Sequence, residues 1–227
     1  MWHVIPFVVA AALCCGQAPS TAPELTVKGA GSRGTLIFAA DAVEFRAGST
    51  EKSRRWSYAD LREIRIDGPK RLALDIYETR SRWRFGRAKA ITFNVVGEPI
   101  GGDLVAAVLA RAPRAVRTNI LPSGLPDATI VVPASHRRFG SATQGTLEFG
   151  PSGLLYRSTA PGDSRFWRFP DLQSVARTSP FEVLVTAYEG GDLSPYAFEL
   201  KTPWPSASFD ALWQQVNPPR PRSEGGR

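Results

Sequence analysis

Cysteine is confined to two adjacent positions, Cys14 and Cys15, near the start of a 227-residue chain. Everything after them therefore folds without a disulfide, a cysteine-built zinc site or a cysteine nucleophile. Histidine is almost as scarce, with His3 in the first residues and His136 alone in the rest. A Ser-His-Asp device would have to use His136 as its base, and no nucleophile motif accompanies it, so it reads as a surface or strand-end residue. After the first residues no apolar run approaches the roughly 20 residues that a membrane-spanning helix needs. Lysine is rare beside arginine, 5 against 23, a skew that GC-rich coding and phosphate binding both produce. What remains is ordinary for a globular protein: 43% hydrophobic, 22% charged and a net charge of +7, so a core can form.

Val4 to Cys15 is apolar except for Pro6, and a small, polar stretch follows from Gly16 to Ala22. An apolar run of about a dozen residues suits the h-region of an export signal, although no Lys or Arg precedes it. Residues 1–22 read as a signal peptide for export to the periplasm or the medium; Gly16 and Ala18 offer cleavage points, although Pro19 is a poor residue just after a cut. Lipidation of Cys14 or Cys15 is the alternative, but neither cysteine directly follows a small residue. A hydrophobic N-terminal strand is the structural alternative.

The chain repeats itself. Gly34-Thr35-Leu36 recurs as Gly145-Thr146-Leu147. At the same offset of 111 positions Phe38 meets Phe149, Phe45 meets Tyr156, Trp56 meets Trp167, Asp60-Leu61 meets Asp171-Leu172, and Tyr77-Glu78 meets Tyr188-Glu189. Six residues are then lost from the second copy, where Phe93 matches Phe198. So long a period implies two domains rather than a solenoid. Within each copy apolar residues alternate with polar ones: Leu36/Phe38, Val43/Phe45, Trp56/Tyr58, Ile64/Ile66, Leu72/Leu74/Ile76, Trp83/Phe85 and Ile91/Phe93/Val95 in the first. A period of two marks strands with one buried face, about seven per copy. The period then changes to that of a helix, with Asp103 as cap ahead of Leu104, Val105, Val108 and Leu109, and Ser206 or Ser208 ahead of Phe209, Leu212, Trp213 and Val216.

Seven antiparallel strands followed by one amphipathic helix resemble the pleckstrin-homology (PH)-like fold. The tryptophan followed four residues on by Asp-Leu is similar to bacterial PH-like and GRAM-like sequences. The resemblance implies, for each copy, a sandwich or partly open barrel of two near-orthogonal sheets with the helix plugging one end. The expected organisation is a signal peptide at 1–22, one module at 29–112, a Pro-rich linker at 113–135 with a short bridging strand over Thr129–Val132, a second module at 136–217 and a disordered tail at 218–227.

Motifs with chemical potential are few. Gly29 to Gly34 matches GxGxxG, but a strand rather than a helix follows, which the dinucleotide fingerprint does not allow. Asp60 and Asp171 occupy matched positions before a turn and read as acceptors of backbone N–H groups. Trp56 and Trp167 read as core residues, and Trp213 as part of the helical plug. No cofactor is expected.

Charge separates the copies. Residues 31–111 hold 15 basic and 10 acidic side chains, whereas residues 140–217 hold 5 and 8. The basic side chains concentrate in Arg80, Arg82 and Arg84, which would share one face of a strand, with Arg87, Lys89, Arg54 and Arg55 close by. This candidate patch suits phosphate groups of lipid or lipopolysaccharide; Glu51, Asp75 and Glu78 are near enough to supply counter-ions. Export argues against nucleic acid. Opposite charge also permits the two modules to dock on each other. The expectation is a non-catalytic binding or scaffold protein of the cell envelope, with a peripheral protein that binds anionic lipid as the alternative and an enzyme using ungrouped carboxylates as a further one.

Overall fold

The structure, a computed structural model, describes residues 22–77, 89–189 and 192–218. Among these residues the first half forms β1 (Glu24–Gly29), β2 (Ser32–Phe38), β3 (Ala42–Ala47), β4 (Arg54–Ser57), β5 (Leu61–Ile66), β6 (Arg71–Ile76), β7 (Lys89–Val95), α1 (Gly102–Arg111) and β8 (Val116–Thr118). The second half forms β9 (Ile130–Arg138), β10 (Ser141–Gly150), β11 (Gly153–Ser158), β12 (Arg165–Trp167), β13 (Leu172–Ser179), β14 (Glu182–Glu189), β15 (Asp192–Leu200) and α2 (Ser206–Val216). The protein is mainly β, with one sheet per half. The orders are β4-β3-β2-β1-β7-β6-β5-β8 and β12-β11-β10-β9-β15-β14-β13.

The two halves share register as well as order. Leu36 lies opposite Phe45 as Leu147 lies opposite Tyr156, and Val43 opposite Trp56 as Leu154 opposite Trp167. Even the register shift between Leu61 and Glu63 recurs between Leu172 and Ser174. Each sheet folds back over its own apolar face. Trp56 on β4 and Phe93 on β7 are four strands apart, about 19 Å if the sheet were flat, yet their rings stand 6.4 Å apart. The first core gathers Leu36, Phe45, Trp56, Leu72, Phe93 and Val105, the second Leu147, Tyr156, Trp167, Val183, Phe198 and Phe209. The matched glycines sit where strands approach closely: a β-carbon at Gly34 or at Gly145 would lie 2.2 Å from the carbonyl oxygen of Arg46 or Arg157.

Several expectations are corrected. The two near-orthogonal sheets expected for each half are one hydrogen-bonded sheet, folded over its own core with sandwich character and not closed into a barrel. β1 starts before residue 29. The bridging strand expected at Thr129–Val132 is the beginning of β9, which runs through residue 136. The Pro-rich linker contributes β8, which extends the first sheet. Gly101 rather than Asp103 is the N-cap of α1, and Asp103 lies in the first turn, where its charge suits the positive end of the helix. α2 starts at Ser206, with Pro205 as N-cap. Trp213 is half exposed rather than buried. The leader with Cys14 and Cys15, the strand expected at Trp83–Phe85 and the tail beyond Pro218 lie outside the described residues.

The halves dock through a local change of chemistry. Glu44 lies opposite Arg55 on the outer face of β3 and β4. Their counterparts Leu155 and Phe166, again opposite each other, are apolar and bury themselves in the first core. Beside them Arg168 stands where the first half has Ser57. Its Nη1 donates to the carbonyls of Leu109 (2.8 Å) and Ala112 (2.7 Å), its Nη2 to that of Arg114 (2.9 Å). Its Nε and Nη2 also donate to the two carboxylate oxygens of Asp171, at 2.7 and 2.8 Å. All five N–H groups of the guanidinium are thus engaged, and the cation caps the C-terminal end of α1, where carbonyls lack helical partners. An ion pair between Arg62 and Asp192 (3.7 Å) also crosses the junction.

Candidate functional site

Cationic side chains gather on the outer face of the first sheet. Along β1 the core takes Leu25 and Val27, which leaves Thr26 and Lys28 facing outward. The β1–β2 register places Lys28 directly opposite Arg33, and both are exposed. Like charges directly opposite each other weaken a strand pair, and no acidic side chain pairs with either among the described residues. Arg46 lies diagonal to Arg33, because Thr35 is its direct partner across β2 and β3. Its charge is shared with Glu44 at 2.9 Å.

The second half replaces this pair. Counting back from the shared β2–β3 register, Ser135 and Gln144 stand where Lys28 and Arg33 do, again directly opposite each other. They are neutral, and Gln144 Nε2 donates to Ser135 Oγ at 3.2 Å. At this place in the sheet, among the described residues, the opposed cations are therefore a feature of the first half.

The patch expected from the sequence is only partly brought together. Arg54 and Arg55 lie on the edge strand β4. Arg55 is neutralised by Asp41 (2.6 Å) and by Glu44, while Arg54 donates to the carbonyls of Glu51 (2.7 Å) and Ser53 (2.8 Å). Lys89 is the first residue of β7 and lies opposite Ile76. Arg80, Arg82, Arg84 and Arg87 lie outside the described residues. The anchors of their connection are described, and they point to the same end of the sheet as Lys28. Gly29, which closes β1, lies opposite Phe93, so Lys89 stands four residues, about 13 Å, beyond that end. Sequence reading missed Lys28 and Arg33. Their opposition depends on where the β1–β2 hairpin turns, and β1 itself lay across the expected module boundary.

Several polar side chains inside the second half hold one another. His136, two residues from the end of β9, is buried rather than a surface residue. Its Nδ1 is 3.3 Å from Asp163 Oδ2, and Asp163 also meets Thr143 and Arg138. Burial, with Arg138 and Arg165 nearby, lowers the imidazole pKa to about 4. Glu189 accepts from Trp167 Nε1 (2.8 Å) and from the Tyr196 hydroxyl (2.5 Å). Burial, with the Glu189 charge beside it, pushes Tyr196 up to about 12. The carboxylates of Asp60 and Asp171 are likewise engaged, Asp60 by the Ser57 hydroxyl (2.7 Å) and Asp171 by Arg168. These contacts satisfy buried polar groups and fasten loop ends to strands. Among the described residues no cluster of three or more His, Cys, Asp or Glu could hold a metal ion, and no helix is long and apolar enough to cross a membrane.

No protein-family profile and no curated protein matches the chain. Among solved structures it is similar to the C-terminal domain of an unknown protein from Leishmania infantum, at 12% identity and a TM-score of 0.32, over 40% of this chain and 84% of that one. It is also similar to a chain of the Spt16D–Pob3N heterodimer, at 11% identity and a TM-score of 0.29, over 76% of this chain and 86% of that one. Both likenesses are too distant to assign a fold family or an activity.

Proposed function

We propose that this chain is a non-catalytic binding protein of the cell envelope, built from two PH-like modules, whose first module engages an anionic surface. The observation that carries the reading is the exposed Lys28–Arg33 pair, opposed across β1 and β2 without an acidic partner among the described residues. Such a pair costs stability when the face is bare and is relieved when a phosphate-rich surface supplies the missing charge. The second module's Ser135–Gln144 pair at the same place supports a division of labour, one module to bind and one to brace. The PH-like assignment draws on the strand order 4-3-2-1-7-6-5 in each half, with a helix following. The envelope location draws on the export-like apolar run at Val4–Cys15. Arg80, Arg82, Arg84 and Arg87 belong to the connection anchored at the same end and would add to the attraction, at about 1 kcal/mol per cation near an anionic bilayer.

Co-sedimentation of residues 23–227 with anionic and neutral vesicles tests the reading. Binding is expected to anionic vesicles only, to weaken from 50 to 300 mM salt, and to fall at least tenfold in the Lys28→Glu/Arg33→Glu variant. The Arg80→Ala/Arg82→Ala/Arg84→Ala variant measures the share of the connection. No binding of the unaltered protein at low salt would overturn the anionic-surface reading and leave a protein-binding scaffold.

A further inference from the structure

The duplication offers an internal comparison across the outer face of each sheet. In the first half one transverse row reads Glu24, Ile37, Glu44 and Arg55, each directly opposite the next across β1, β2, β3 and β4. The matching row of the second half, across β9 to β12, reads Val131, Glu148, Leu155 and Phe166. The acidic and apolar members of the central pair have changed places, and both ends of the row have lost their charge. Arg46 and its counterpart Arg157 keep a carboxylate partner through the exchange, Glu44 in one half and Glu148 in the other. A row dominated by charge has become an apolar row that holds one carboxylate.

That row lines a cleft of about 360 Å³. Residues 125–128 form one wall, held beside β10 because the Thr129 N–H donates to the Phe149 carbonyl at 2.8 Å. Leu125 packs against the first core, as Leu155 and Phe166 do, so both modules fix the shape. Every residue that lines the cleft is described, and none adjoins a segment that is not. The cleft follows the strands through three rows. Gly150 lies opposite Gly153 at one end, Glu148 opposite Leu155 in the middle and Thr146 opposite Arg157 at the other end. Four residues separate the end rows along β11, about 13 Å. The ends differ in charge. A β-carbon at Gly150 would stand 3.5 Å from the Asp127 carbonyl oxygen, so Asp127 belongs to the glycine end. It is exposed and has no ion-pair partner among the described residues. At the other end Arg157 gives Nε (2.8 Å) and Nη2 (3.1 Å) to Glu148, which also accepts from the Thr146 hydroxyl at 2.8 Å. The Nη1 edge of that guanidinium has no partner among the described residues, and the side chain is 55% exposed.

A cleft of this size, apolar in the middle with a few placed polar groups, has the form of a small-ligand site. We infer that it binds a short apolar peptide with free termini, extended along β10 and β11. The chemistry matches at three points. The ammonium terminus meets the carboxylate of Asp127. The carboxylate terminus meets the open edge of Arg157, whose parallel N–H groups suit its two oxygens. Apolar side chains rest on Val131, Leu155 and Phe166. Each extended residue spans about 3.3–3.6 Å, so three residues cover about 10 Å and the long arginine side chain reaches the rest. Asp127 and Glu148 against Arg157 leave the cleft one net negative charge, which favours a zwitterion over a purely anionic ligand. The site belongs to the second module and the linker, and it does not depend on the Lys28–Arg33 face.

The test titrates trileucine into isotope-labelled residues 23–227 and follows the amide resonances. Saturable shifts are expected at Gly150 and Gly153. N-acetyl-trileucine and trileucine amide, which each lack one terminal charge, should bind at least tenfold more weakly. Asp127→Asn should weaken trileucine at least fivefold and leave the N-acetyl form unchanged; Arg157→Gln should do the same with respect to the amide. Val131 is 54% exposed, so Val131→Trp should fold, fill the cleft and abolish binding. That variant should melt and co-sediment with anionic vesicles as the unaltered protein does, so a failure here is distinguishable from a failure of the surface-binding reading. Three results would overturn the inference: no saturable shift at millimolar trileucine; equal affinity for the free and the capped peptides; or binding that survives Val131→Trp or shifts only amides away from the cleft.

Discussion

Replacing Arg168 by alanine should loosen the two modules from each other. The guanidinium spends its five N–H groups on three backbone carbonyls of the first module and on both oxygens of Asp171. Hydrogen bonds to a charged group contribute about 1.5–3 kcal/mol each, but they do not add here. The bond to Arg114 is exposed, and water replaces it readily. The larger loss is electrostatic. Asp171 is buried and would keep only the backbone N–H of residue 168, now at 3.3 Å. Breaking a buried pair from one side costs about 3–5 kcal/mol, and the docking should weaken by about that much. In thermal unfolding a loss of about 4 kcal/mol lowers Tm by about 10 °C for a chain of this size. A single transition should broaden or split, because Leu155 and Phe166 of the second module belong to the core of the first. Arg168→Lys keeps the charge but cannot reproduce the fork, and should lie between. Arg168→Met with Asp171→Leu removes both charges and should recover part of the loss. A single, unsplit transition within about 2 °C of the unaltered protein would refute the latch.

His136 should make the second module acid-sensitive. Its pKa is lowered from 6.5 to about 4 on folding, so the unfolded chain binds the proton more tightly and stability falls as pH drops from about 6.5 towards 4, by up to about 3 kcal/mol. His136→Phe should flatten that part of the urea-midpoint profile, and an unchanged slope would count against the assignment. Gly145→Ala forces a β-carbon to within 2.2 Å of the Arg157 carbonyl oxygen and should cost the second module about 3 kcal/mol; Gly34→Ala should do the same to the first, read by calorimetry. Tyr196→Phe leaves Glu189 with Trp167 Nε1 as its remaining side-chain donor and should cost about 1.5–3 kcal/mol, measured by denaturant unfolding at pH 7.

The repeat was legible in the residues because a strand declares itself locally. Alternation of apolar and polar side chains shows which face is buried, and a constant offset between Trp56 and Trp167, or Gly34 and Gly145, carries one register into both halves. The exchange of Glu44 and Arg55 for Leu155 and Phe166 could be read at that same offset. Nothing in the chain said that the apolar pair would find its cover in the other module. β1 was missed because its short alternation, Leu25 and Val27, fell across an assumed boundary, and with it went the opposition of Lys28 and Arg33. β8 was hidden because three residues in a Pro-rich stretch show too little period to declare a strand. The sequence by itself determined the local elements, their alternating faces and their duplication, since these follow from neighbours along the chain. Only the tertiary structure decided which carbonyls Arg168 reaches, which cations are left unpaired and which tryptophan is left uncovered, because those depend on groups brought together from distant parts of the sequence.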